Sequence, residues 1–215
     1  MERKIYYSFH DIPFGEYDYG YVKPSIRFSK TEILHLIISM VVLTIAFAFA
    51  FSYPFYRHVD FLIHIAFPVS LLSIVTAFAF HELAHKFTGQ KYGYWSEYRM
   101  FPQGLLLALF LGIATPFIFA APGAVTIFGM PTREEGGKIA MAGPLTNIIV
   151  AIAFYVISLF YLSYVFRLVA AINAYLALFN LIPLGPLDGR KVFYWDPKIW
   201  VAMLAFAFII WIIVA

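Results

Sequence analysis

Runs of about twenty apolar residues recur along this chain, and they decide its solvent before they decide its fold. Five of them lie roughly at 32–53, 61–80, 139–164, 168–183 and 199–215. About 20 mostly apolar residues, rising 1.5 Å each in a helix, cross the hydrocarbon core of a bilayer, so the last two runs are slightly short as delimited. The 215 residues are 62% hydrophobic and 13% charged, whereas soluble domains run near half apolar and a quarter charged. A water-soluble fold of this size could not bury so much apolar surface. The 24 Phe suit lipid contact, and the 15 Tyr and 4 Trp suit the headgroup belt. The expected architecture is all-α: a polytopic transmembrane bundle of five to six spans, forming one domain over 1–215 with a short polar segment at 1–31. The first thirty residues lack the short apolar core and small-residue cleavage site of a signal peptide.

A sixth apolar stretch, 104–128, is broken by Gly112, Pro116 and the run AAPG at 120–123. Positive charge decides how to read it. If it dips into the membrane and returns, thirteen of the fifteen Lys and Arg lie on the side of the N-terminus, and only Arg57 and Arg167 lie opposite. If it crosses once, the split is nine to six. The bias of Lys and Arg toward cytosolic loops favours a membrane-dipping hairpin, with the N-terminus in the cytosol and the C-terminus outside. The net charge of +3 comes without a basic run, which gives nucleic acid no footprint. There is no cysteine, so disulfides, thiolate nucleophiles and thiolate metal sites are excluded.

The string HELAH occupies 81–85. On a helix, His81 and His85 stand one turn apart on the same face. Such a pair can hold one Zn²⁺, with Glu82 as general base toward water. A catalytic zinc needs a third protein ligand and an open position. His64 precedes His81 by 17 residues, about 25 Å along the same helix, and is too far away. His10 lies in the polar N-terminal segment and His58 on the outer side. His35, at the cytosolic end of the first span, stays open as a ligand beside its ordinary reading as an interfacial histidine. Asp188 fits better. Asp60 to His81 and Arg167 to Asp188 are both 21 residues, so two descending helices of equal length carry them to similar depth. Pro183 and Pro186 unwind the chain just before Asp188. The competing reading of Asp188-Gly189 is a plain surface turn.

HELAH, the run NLIPLGPLDGR at 180–190 and the run AGPLTN at 142–147 together resemble the site-2 protease family, intramembrane zinc metalloproteases. The likeness covers about 77–191 and carries three elements in family order. It implies one Zn²⁺ per chain held by His81, His85 and Asp188, with Glu82 activating water and with Asn147 and Asn180 near the substrate path. It also implies transmembrane proteins as substrates, cut in or near their spanning segments. Compactness and the lack of a targeting signal point to a prokaryotic cell membrane as the setting. The chain departs from the family at Arg190, where a second Gly often follows the LDG. It also departs at 104–128, which reads as an apolar hairpin where relatives carry a β-hairpin or sheet that feeds substrate. No stretch has room for a PDZ or CBS domain. A membrane metal transporter would also gather His and Asp ligands, but it needs no general base. A non-catalytic homologue that only binds membrane proteins is the other alternative.

Overall fold

The computed structural model describes residues 26–54, 57–118, 121–161 and 163–214. His10 and most of the polar N-terminal segment lie outside them. Helix α1 (Lys30–Phe51) starts at Ser29, whose hydroxyl accepts the Glu32 N–H at 3.0 Å, the usual cap for a free helical donor. Helix α2 runs over Val59–Lys91, 33 residues, and carries two wide π-helical turns, Leu62–Ala66 and Val75–Ala79. The first lies just before Pro68, whose ring lacks an N–H and crowds the preceding turn of a regular helix.

Strand β1 (Trp95–Met100), helix α3 (Pro102–Ala114) and strand β2 (Gly123–Phe128) follow. Helix α4 (Arg133–Tyr161) turns into α5 (Tyr164–Asn180). After a turn containing Pro183 and Pro186, α6 (Asp188–Trp195) and α7 (Pro197–Val214) complete the described chain.

This is the all-α membrane bundle that hydropathy predicts, with one small sheet added. Helices α1, α2, α4 and α7 are long and apolar enough to cross a membrane, and α5 is a shorter apolar helix. Packing follows the rule for lipid rather than water. Ala46, Ala108, Ala151, Ala170, Ala174 and Ala207 are wholly buried where helices meet, while Leu106, Phe110 and Phe160 are 67%, 66% and 80% exposed. Lipid tails give large apolar side chains no reason to turn inward, and small residues let helices approach closely.

The stretch 104–128 is not the continuous apolar hairpin expected from its hydropathy. Its first part is helical as α3, and its last six residues form β2, antiparallel to β1 from Trp95↔Phe128 to Met100↔Gly123. The segment after HELAH therefore does contain a sheet. Pro116 and Pro122 cannot continue a helix, and the β-branched Val125, Thr126 and Ile127 favour a pleated strand. Averaged hydropathy hides a six-residue strand inside an apolar run, and its partner WSEYRM is too polar to register as a membrane element.

Candidate metal centre

His81 and His85 lie on α2 just after its second π turn, both buried. Their Nε2 atoms are 3.0 Å apart. Asp188 opens α6, and its Oδ2 lies 3.2 Å from His81 Nε2 and 3.0 Å from His85 Nε2. Three ligand atoms thus form a nearly equilateral triangle. Tetrahedral zinc with bonds of 2.0–2.1 Å spaces its ligands about 3.3 Å apart, so the donor set and its spacing fit that ion. Among the described residues this is the one cluster of three His, Cys, Asp or Glu side chains with this arrangement. As a carboxylate, Asp188 would complete a two-imidazole, one-carboxylate ligand set of the kind zinc takes.

Each imidazole is fixed through its other nitrogen. His81 Nδ1 lies 2.6 Å from Asn147 Oδ1, and His85 Nδ1 lies 2.8 Å from the Ile139 carbonyl, both on α4. Each acceptor requires a proton on Nδ1, which leaves Nε2 free for a metal. Asn147 is itself held. Its amide donates to the Ala77 carbonyl at 2.9 Å, within the π turn, and approaches Asn173 Oδ1 at 3.5 Å. Asn173 in turn donates to Thr76 Oγ1 and to the Val169 carbonyl.

Asn147 is wholly buried behind His81 and does not line the cavity, and its carbonyl oxygen is engaged by the imidazole. Four residues earlier on the same face, Gly143 lies directly against the histidines. A Cβ there would stand 2.7 Å from His81 Nε2 and closer still to His85 Nε2. In AGPLTN, then, the glycine makes room for the imidazoles and the asparagine orients one of them, roles that appear only once α4 is seen against α2.

A cavity of about 770 Å³ opens onto the cluster, lined by His81, Glu82, His85, Asn180, Asp188 and Lys191 and by many apolar side chains of α1, α2, β2 and α5. The Glu82 carboxylate faces it, and its Oε2 accepts the backbone N–H of Val125 on β2 at 3.1 Å. Asn180 sits on the cavity wall, with one amide proton given to the Leu176 carbonyl of its own helix at 3.0 Å.

Asp188 is not a plain turn residue. Gly189 presses on the Leu181 and Ile182 carbonyls, where a Cβ would lie 2.7 Å from Ile182 O, so the turn can fold tightly enough to aim Asp188 inward. Arg190 points away: it is exposed, stacked 5.7 Å over the Tyr194 ring. His35 is no ligand here, since its Nδ1 faces the Met100 N–H of β1 at 3.4 Å. Sequence reasoning missed Gly143, the Val125 N–H and Lys191. The spacing G-P-x-x-N was the available signal for the first.

Two curated proteins resemble this chain. "Putative zinc metalloprotease MJ0611" of Methanocaldococcus jannaschii is 42% identical over 180 residues, covering 81% of this chain and 89% of its own. "Putative zinc metalloprotease YwhC" of Bacillus subtilis is 30% identical over 153 residues, covering 58% of this chain and 67% of its own. No family model matches the chain, and no solved structure does.

Proposed function

This chain belongs to the zinc metalloprotease family of these two relatives, and we propose that within it the protein is an intramembrane protease of the site-2 type, hydrolysing peptide bonds in or near the spanning segments of membrane proteins. The observation that carries this reading is the His81–His85–Asp188 triangle beside Glu82, on an open cavity that the membrane-length helices α1, α2 and α4 line together with α5 and β2. His81 comes 22 residues after Val59, about 33 Å down α2, against a hydrocarbon core of about 30 Å. With the N-terminus in the cytosol, as the Lys and Arg distribution favours, the site lies near the cytosolic edge of the bilayer, where water reaches it.

His81, His85 and Asp188 would hold the metal. Zinc, when bound there, supplies Lewis acidity, which acidifies a coordinated water to a pKa of about 7 and polarises a carbonyl. Glu82 accepts the proton from water and passes it to the leaving amine. The Val125 N–H holds Oε2, which orients the carboxylate and leaves Oε1 for that exchange. A peptide bond in a helix is shielded by its own hydrogen bonds, so the substrate enters unwound. The free edge of β2 beside Glu82 offers backbone groups for an extended segment to pair with. Asn180 keeps a second amide proton for a substrate carbonyl. Asn147 serves the reaction through His81.

The deciding experiment compares wild type with Glu82→Gln on a panel of single-span reporter proteins in liposomes, following cleavage and bound zinc. Zinc in both with cleavage only by wild type supports the reading. Zinc-dependent cleavage that persists in Glu82→Gln removes Glu82 from its role, and a folded wild type that binds no zinc overturns the site itself.

A further inference from the structure

One face of the HELAH helix binds more than the metal. Glu82 and Lys86 are one turn apart on α2, and both address the sheet. Glu82 takes the Val125 N–H of β2, and Lys86 Nζ donates to the Ser96 carbonyl of β1 at 2.8 Å. Lys86 also pairs with Glu32 of α1 at 2.7 Å. Glu32 Oε1 accepts the Tyr98 N–H of β1 at 3.0 Å. Tyr98 and Val125 face each other in the ladder. At that one rung both outward-pointing backbone donors are thus taken by carboxylates, Glu32 on the β1 side and Glu82 on the β2 side. The contacts close a ring: Glu82, one turn of α2, Lys86, Glu32, Tyr98, Val125 and back to Glu82.

The two charges at the far side of this ring are expensive. The side chains of Lys86 and Glu32 are 1% and 0% exposed, and neither lines the cavity. Burying such a pair costs desolvation that its attraction barely offsets, and an apolar pair of similar volume often serves stability as well or better. Stability alone does not account for the pair, whereas geometry does. It ties α1, α2 and β1 together at the rung whose opposite end meets the general base.

We propose that the Glu32–Lys86 ion pair is a positioning device for the reaction, fixing the sheet so that the free edge of β2 stays in register with Glu82 and the metal ligands. The catalytic part of this proposal rests on the protease reading. The structural part does not. Misplacing reacting groups by about 1 Å can cost 100-fold in rate, so a modest shift of β2 should be visible in kcat.

The test is the double variant Glu32→Gln/Lys86→Met. It removes both charges, keeps the volumes and leaves the Gln oxygen to accept the Tyr98 N–H. Because the chain has no cysteine, spin labels can be placed at Thr126→Cys on β2 and Ile149→Cys on α4, both exposed. In the parent the label distance should be single and narrow. The double variant should keep stoichiometric zinc and its melting temperature, broaden or shift that distance, and lose at least tenfold in kcat with KM changed less than threefold. An unchanged distance together with wild-type kcat in the zinc-loaded double variant overturns the proposal, since a merely stabilising pair predicts that result. If the double variant fails to fold, Glu32→Asp, which keeps both charges and shortens the reach to β1, decides by the same two readouts. If wild type cleaves none of the reporters, the protease reading fails while the label distance still decides whether the pair positions β2.

Discussion

Substituting Gly143 by alanine should weaken zinc binding by about 100-fold or more while leaving the fold standing. The added Cβ would lie 2.7 Å from His81 Nε2, where ordinary contact begins at 3.4 Å, so the imidazole must yield 3.4 − 2.7 = 0.7 Å, and His85 more. Zinc sites keep ligand distances within about 0.2 Å of ideal. The required movement is more than three times that tolerance, and it falls on two of the three ligands at once. Altering a residue that only supports a ligand costs about 10–100-fold in metal affinity. Displacing two ligands directly should cost at least the upper end, about 100-fold. The overpacking penalty for the protein, about 1–3 kcal/mol, is one that a bundle of this size can bear. Purified Gly143→Ala would be titrated against a series of zinc chelators, with thermal unfolding of the metal-free form as control. A variant that holds zinc within threefold of wild type would refute the reasoning, because α4 would then have room to retreat from α2.

Two further substitutions separate roles that the sequence pattern merges. Asn147→Leu removes the acceptor of His81 Nδ1 and should weaken zinc about 10–100-fold by chelator competition. Unchanged affinity would mean that the imidazole needs no partner. Val125→Pro deletes the N–H given to Glu82 without touching a ladder bond, since that donor faces away from β1 and an edge strand tolerates proline there. Zinc content should be unchanged and kcat about tenfold lower, the worth of one hydrogen bond to a charged group. Wild-type turnover would show that Glu82 orients itself unaided.

How much could be read beforehand depended on how local each feature was. The histidine pair is a matter of one helical turn, and the spans are a matter of twenty-residue averages, so both were legible. Asp188 was legible through register, because Asp60–His81 and Arg167–Asp188 have equal length in residues. The sheet was not. Its two strands lie 22 residues apart between their facing ends, Met100 and Gly123. One strand is polar and the other is buried within an apolar run, so neither shows the alternation that marks a strand. The burial at the end of α2 was hidden for a related reason. Lys86 and Gln90 look like residues beyond the membrane, yet both are buried, because the sheet and the segment around Arg27 supply their partners. Asn147 was singled out by its motif, but its bond to His81 was not legible there. A spacing shows that a residue faces the site, but not whether it stands in front of the ligand or behind it.

The irregularities of the two central helices converge on the metal ligands, and this follows from what the site requires. Two regular helices packed through ordinary side chains keep their axes about 8–10 Å apart, and a buried asparagine on one could not easily reach both a ligand and the backbone of the other. Here α2 opens into a wide turn at Val75–Ala79 immediately before His81, and the Ala77 carbonyl in that turn receives the Asn147 amide. On α4 the facing segment holds Gly143 for close approach and Pro144 within the helix. Proline at that point leaves the carbonyl four residues earlier without its helical donor, a tolerable defect only where packing or another donor compensates. Regularity is thus relaxed on both helices at the same height. The gain is that each imidazole is held by α4 through Nδ1 while both Nε2 atoms turn to Asp188. Both imidazoles are oriented by α4 through bonds that need no metal, which is why changes on α4, a helix that contributes no ligand, should register first as lost zinc rather than as lost fold.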